Sequence, residues 1–211
     1  MTKAIAFAAL SLFVVTSVAW GAEPAGAAGD LWPRWRGPSD SGAATHGDPP
    51  VEWSEAKNVR WKIDLPGRGA ASPVVWGDLV FLTTAVPKDG ATAEGAQDAP
   101  APVAGRRGPP SKEPTSVLEY VVLAIDRKDG RIRWQKTVRE GLPPTGTHAT
   151  GTWASNSAVT DGTHVFAYFG SQGLYCLDME GKLLWERDLG DMQKRREFGE
   201  GSTPVLHGDK I

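Results

Sequence analysis

The chain contains a single cysteine, Cys176, so no disulfide framework can form within it. Cys176 falls in the middle of an apolar run, where a thiol serves as a small buried hydrophobe. Charge is equally sparing: 23 Lys and Arg stand against 25 Asp and Glu, a net of −2. That balance lacks the basic footprint nucleic-acid binding needs. The four histidines, His46, His148, His164 and His207, show no H-E-x-x-H or C-x-x-C spacing for a metal. Asp126-Arg127-Lys128-Asp129-Gly130 lacks the alternate oxygen ligands and distal Glu of an EF-hand loop. No phosphate loop, no G-x-S-x-G elbow and no dinucleotide fingerprint occurs. Sustained helical periodicity is missing beyond the first twenty residues.

What the chain does have is tryptophan, glycine and proline (9, 25 and 16 residues) in a recurring order. Trp61, Trp134 and Trp185 each close a similar phrase: NVRWKIDLP, AIDRKDGRIRWQKTV and CLDMEGKLLWERDLG. Each phrase is followed, after a polar stretch, by a small-residue opening: Ser72-Pro73-Val74-Val75, Ser157-Ala158-Val159-Thr160 and Thr203-Pro204-Val205-Leu206. The last two openings lie one period apart, within the roughly 40–50 residues typical of a propeller blade.

Within a repeat, Leu79–Thr84 and Val165–Phe169 are β-branched and aromatic and follow the turn pairs Gly77-Asp78 and Asp161-Gly162. Tyr120–Ile125 and Leu174–Leu177 supply a third strand. Asp129-Gly130 and Glu180-Gly181 turn the chain into a fourth, which carries Trp134 or Trp185. The expectation is an all-β repeat.

The phrase Ala124-x-Asp126-x-x-Asp129-Gly130-Arg131-x-x-Trp134 resembles the tryptophan-docking motif of the pyrroloquinoline-quinone-like (PQQ-like) repeat. That family includes quinoprotein alcohol dehydrogenases and the outer-membrane assembly factor BamB. A second copy, Cys176-x-Asp178-x-x-Gly181-x-x-x-Trp185, is one residue shorter and has Cys in place of Ala; Trp61 matches only the motif's end. The resemblance spans about residues 61–211. It implies an incomplete PQQ-like β-propeller of about two whole four-stranded blades plus parts of two others. It also implies that each docking Trp stacks between its own first-position small residue and the turn Gly of the preceding blade, which would set Trp185 against Cys176 and Gly130. Trp61, Ala124, Gly130, Trp134, Cys176, Gly181 and Trp185 are thereby given structural docking roles.

Lys3 followed by the apolar stretch Ala4–Val15 and the small-residue site near Ala19-Trp20-Gly21 predicts a secretory leader over residues 1–21, and no stable membrane span after cleavage. The expected location is therefore the periplasm or envelope of a Gram-negative-type bacterium, or outside the cell. No cysteine follows the leader to carry a lipid. Residues 22–60 read as a linker and an N-terminal strap. In it, Trp32-Pro33-Arg34-Trp35-Arg36-Gly37-Pro38 is an aromatic–arginine cluster expected to pack on the propeller flank, with stacking on a sugar or partner as the rival reading. Trp53 and Trp61 bracket the entry to a first outer strand. Residues 61–211 form the partial propeller, interrupted over about 87–114 by an Ala/Gly/Pro segment expected to be disordered. A ring needs about 4–8 blades, so the length suggests part of a longer protein.

In a four-stranded antiparallel blade, the first and third turns share one face, and here they are uniformly tight. The opposite face gathers the long insertion and three crossings, Pro66–Ala71, Glu140–Ala154 and Asp191–Gly201, and loops of that kind carry function. Arg68, His148, Arg195 and Glu200 are the candidate binding residues there, with Arg196 and Glu197 beside them. No pair has the spacing of an acid–base couple, so no catalytic or metal-binding residue is assigned.

The reading is a non-catalytic exported scaffold for protein–protein interaction, BamB-like in the broad sense, without a cofactor. Two alternatives stay open. One is a dehydrogenase using PQQ and Ca²⁺, whose family pattern usually includes a vicinal disulfide that one cysteine cannot form. The other is a propeller that binds or processes glycans, with a polysaccharide as partner.

Overall fold

A computed structural model describes residues 31–44, 47–88, 111–112, 114–192 and 198–211. Among the described residues the regular structure is β apart from one 3₁₀ turn, Gly170–Gln172. In chain order the strands are β1 (Leu31–Trp32), β2 (Val74–Trp76), β3 (Leu79–Pro87), β4 (Ser111–Lys112), β5 (Leu118–Asp126), β6 (Ile132–Gly141), β7 (Thr147–His148), β8 (Val159–Thr160), β9 (His164–Tyr168), β10 (Leu174–Asp178) and β11 (Leu183–Arg187). Two antiparallel sheets result. One runs β1-β2-β3-β5-β6 and the other β11-β10-β9-β8, while β4 and β7 form a separate two-stranded ladder.

Each of the two large sheets contains a four-stranded up-and-down blade in which consecutive strands are neighbours. Tight turns make this possible. Gly77-Asp78 closes β2 onto β3 as a two-residue loop, because Trp76 pairs directly with Leu79. The same dipeptide recurs at Gly208-Asp209, where His207 and Lys210 exchange both backbone hydrogen bonds. That hairpin, together with the opening Thr203–Leu206, begins a third blade.

The core lies between the blades. Phe81, Tyr120, Val122 and Ala124 of the first sheet share one buried cluster with Val165, Ala167, Tyr175 and Leu177 of the second. A second cluster on the far face of the second sheet joins Val159, Phe166 and Cys176 to Trp185 and Leu206. β5 is buried almost throughout, with Val121, Val122, Leu123 and Ala124 fully inaccessible. Its unbroken apolar run, in place of strict alternation, reflects a strand enclosed on both faces.

Three expectations need correction. The strap does not lie on the flank. β1 pairs with β2, the first strand of its blade, and the Pro33 carbonyl accepts the Thr160 N–H from β8, so the segment bridges the inner edges of both blades. Residues 59–65 join no ladder among the described residues, so Trp61 is held by its ring alone. The segment expected to be disordered is ordered at both ends: Pro87 completes β3, and β4 pairs with β7. Two-residue pairing of this kind is set by backbone geometry and leaves no mark on composition. Residues 89–110 lie outside the described residues.

Candidate binding face

The docking residues fix how the blades sit, and therefore where a face can form. Ala124 pairs across the strands with Trp134, and Cys176 with Trp185, so a small residue does lie opposite each indole. A large side chain there would crowd the ring. The glycine partner differs from the expectation. A methyl group on Gly130 would lie 2.7 Å from the Trp61 ring, and one on Gly181 would lie 2.6 Å from the Trp134 ring. The Trp61 Nε1 donates to the Arg127 carbonyl at 2.9 Å and the Trp134 Nε1 to the equivalent Met179 carbonyl at 2.8 Å.

Trp61 and Trp134 thus each dock on the turn of the following blade, not the preceding one, and the ring nearest Gly130 is that of Trp61, not Trp185. The Trp185 ring instead packs beside Phe166, with Arg187 5.6 Å from its centroid. Motif spacing alone could not give the direction, because a repeat reads the same from either neighbour.

Asp126 and Asp178 shape the turns on which the rings rest. Asp126 is buried, and its Oδ1 accepts the Lys128 N–H at 2.7 Å while Oδ2 takes the Arg133 guanidinium. The Lys128 N–H and the Arg133 side chain hold its pKa below the usual 3.8. Asp178 Oδ1 caps the Glu180 and Lys182 amides in the same way.

Sequence reasoning missed two further inter-blade devices. Trp76, at the end of β2, packs its indole onto Gly162, leaving no room for a β-carbon. The hydroxyls of the repeated openings also link the blades. The Ser72 N–H donates to Ser157 Oγ at 2.9 Å, and the Ser157 N–H donates to Thr203 Oγ1 at 3.3 Å, 46 residues on. The signal was present as Ser, Ser and Thr at equivalent places.

On the opposite side from the tight turns, the three crossings form one connected strip. The Ala70 N–H donates to the Ala154 carbonyl at 3.0 Å, joining the first crossing to the second. His148 of the second stacks on Phe198 of the third, ring centroids 6.0 Å apart. Arg68 is fixed by its backbone, which exchanges two hydrogen bonds with Ala85. His148 Nδ1 lies 2.7 Å from Thr150 Oγ1 and accepts the Thr150 N–H at 3.2 Å.

Glu200 is held most firmly of these. Its carboxylate accepts the Ser171 N–H and hydroxyl, both at 2.6 Å, and fills the space beside Gly170. Next to it lies a cavity of about 10 Å³ bounded by Tyr120, Trp153 and Gln172. The Tyr120 hydroxyl is buried there without a hydrogen-bond partner among the described residues. Burial, and then the Glu200 charge, raise its pKa. A single water would satisfy it. Arg195, Arg196, Glu197 and His46 lie outside the described residues.

The structure therefore places Arg68, His148 and Glu200 on the first, second and third crossings of this connected strip. Among the described residues no three His, Cys, Asp or Glu side chains converge as a metal site would require. Cys176 is buried, its thiol pushed up to about 11 by burial and by the Asp161 and Asp178 charges. These residues do not fit the Ca²⁺ ligand set or the sulfur floor of a quinone site, and no redox step is derived for them.

Consecutive four-stranded blades, locked by an indole on the next blade's turn glycine, define a class of protein: the PQQ-type propeller repeat. A family profile described as outer membrane protein assembly factor BamB matches residues 43–211, and the chain belongs to that family. The comparison with curated proteins returned no match.

Proposed function

We propose that the chain acts as a non-catalytic scaffold whose partner is another protein, bound on the strip of three crossings. One observation carries the reading. The side chains that could have done chemistry there, His148 and Glu200, are occupied as pins, while apolar groups beside them face solvent. Leu142 is 54% exposed and Phe198 52%. Fixed loops that present apolar side chains match the makeup of an interface core, and pinning lowers the ordering cost of binding. The family's name, an assembly factor for outer-membrane proteins, is consistent with a protein partner and with action in the periplasm or envelope after export.

Site-specific photo-crosslinking in cells tests this. A photoreactive residue at Leu142 or Phe198 should trap one discrete partner, and the same probe at Asp129 or Glu180 on the tight-turn face should not. Equal trapping from both faces, or none from the crossings, would sink the proposal.

A further inference from the structure

The aromatic–arginine cluster of the strap has no part in the crossing strip, yet it walls a cleft of its own. The cluster folds as a knot of turns. The Gly37 N–H donates to the Arg34 carbonyl at 2.9 Å, the Gly42 N–H to the Arg36 carbonyl at 2.9 Å, and Gly37 lies against the Trp32 ring. With Trp32 anchored in β1, this knot sets Arg34, Trp35 and Arg36 against the blade openings. Between them lies a cleft of about 640 Å³, lined on the blade side by Ser72, Ser202 and Val205 among others. The volume falls in the range of small-molecule sites.

Arg34 is the informative residue. Its only ion pair among the described residues is a long one, Nη1 to Asp40 Oδ2 at 3.4 Å, and Asp40 is well exposed. Its Nε is buried and has no hydrogen-bond partner among the described residues. The Arg34 side chain as a whole is 27% exposed and lines the cleft. The guanidinium presents its donors as a planar fork that suits a carboxylate. Beside it the Trp35 indole is 56% exposed, with the Arg36 guanidinium 5.6 Å from its centroid. An exposed flat ring, a fork for an anion and hydroxyls on the facing wall are complementary to one chemical class.

We propose that this cleft binds an acidic saccharide, its carboxylate on Arg34 and its ring against Trp35. The site is separate from the crossing residues Leu142 and Phe198, so it can fail while the scaffold reading stands, and the converse holds too. Aromatic stacking supplies the affinity that a hydroxylated ring cannot gain from burial alone. The charged hydrogen bond supplies the preference for a uronic acid over a neutral sugar.

Calorimetric titration of the full chain with trigalacturonate tests it, with maltotriose and inorganic sulfate as comparisons. Saturable binding of trigalacturonate should appear, and maltotriose and sulfate should each bind at least about tenfold more weakly. Arg34→Met should weaken trigalacturonate by at least about tenfold and Trp35→Ala by about fivefold. Trp53→Ala, at an exposed indole elsewhere, should leave binding unchanged. Trp35 is a surface residue, so its variant keeps the proposal testable if Arg34→Met does not fold. No saturable binding, equal binding of maltotriose, binding reproduced by sulfate alone, or affinity indifferent to both Arg34 and Trp35 would each overturn the proposal.

Discussion

At the scale of single residues, glycine and tryptophan act as one unit. Gly181 has φ +86°, a left-handed conformation that costs other residues about 1–2 kcal/mol, and its missing side chain is where the Trp134 ring rests. Gly190 has a similar φ of +77° with nothing within 4 Å of its absent β-carbon. Gly181→Ala should therefore destabilise by about 2 kcal/mol or more, and Gly190→Ala by only the backbone share, about 1 kcal/mol. Urea unfolding of both variants checks the difference; equal losses would mean the indole contact contributes nothing.

Asp126 offers a second test at this scale. Its folded pKa lies below 3.8, so its ionised form stabilises the turn. That contribution is complete above about pH 4 and is lost as the pH falls through the lower folded value. Asp126→Asn keeps an acceptor for the Lys128 N–H but gives up the charge facing Arg133. The variant should be less stable at neutral pH and should lose less stability between pH 4 and pH 2 than the wild type. Parallel acid limbs in pH-dependent unfolding would refute the assignment. Cys176, buried and with a raised pKa, should resist an aromatic disulfide reagent at pH 8 until the chain is unfolded.

Among the elements, the openings matter more than their two or three residues of strand suggest. Ser157 is buried and stands in both hydrogen bonds that link successive openings, one as acceptor through its hydroxyl and one as donor through its amide. Ser157→Ala removes only the first and strands the Ser72 N–H, costing about 1–2 kcal/mol. Ser157→Thr should cost much less, since Thr203 fills the equivalent place. Thermal melting of the pair gives the answer. The β strands and their turns were legible from the sequence because period-two patterning and Gly-Asp pairs are local properties. The strap's place on the inner edge was not, because Leu31-Trp32 pairs with residues some forty positions away and two residues carry no periodicity. The β4–β7 ladder was hidden for the same reason. The crossings were identified as one face by connectivity alone, whereas the pinning of Glu200 by Ser171 depends on a loop path that spacing does not encode.

At the scale of the whole molecule, the blades do not stand as independent units. The main apolar cluster draws on both sheets, so the two blades should melt in one transition, and Gly181→Ala should lower that transition without splitting it. A calorimetric trace with two resolved steps would contradict a shared core. The strip of crossings and the cleft beside the strap both depend on this shared rigidity, because each takes its walls from more than one blade.

The forward direction of docking also has a consequence in time. During synthesis a tryptophan leaves the ribosome before the turn that will cover it exists. The carbonyl that receives the Trp134 indole is 45 residues downstream, and that for Trp61 is 66. At about 5–20 residues per second the Trp134 ring stays bare for about 2–9 s, and the Trp61 ring for longer. The nascent chain therefore trails uncovered indoles behind its newest blade, Trp76 awaiting Gly162 while Trp134 awaits Met179, and these sticky positions advance with translation.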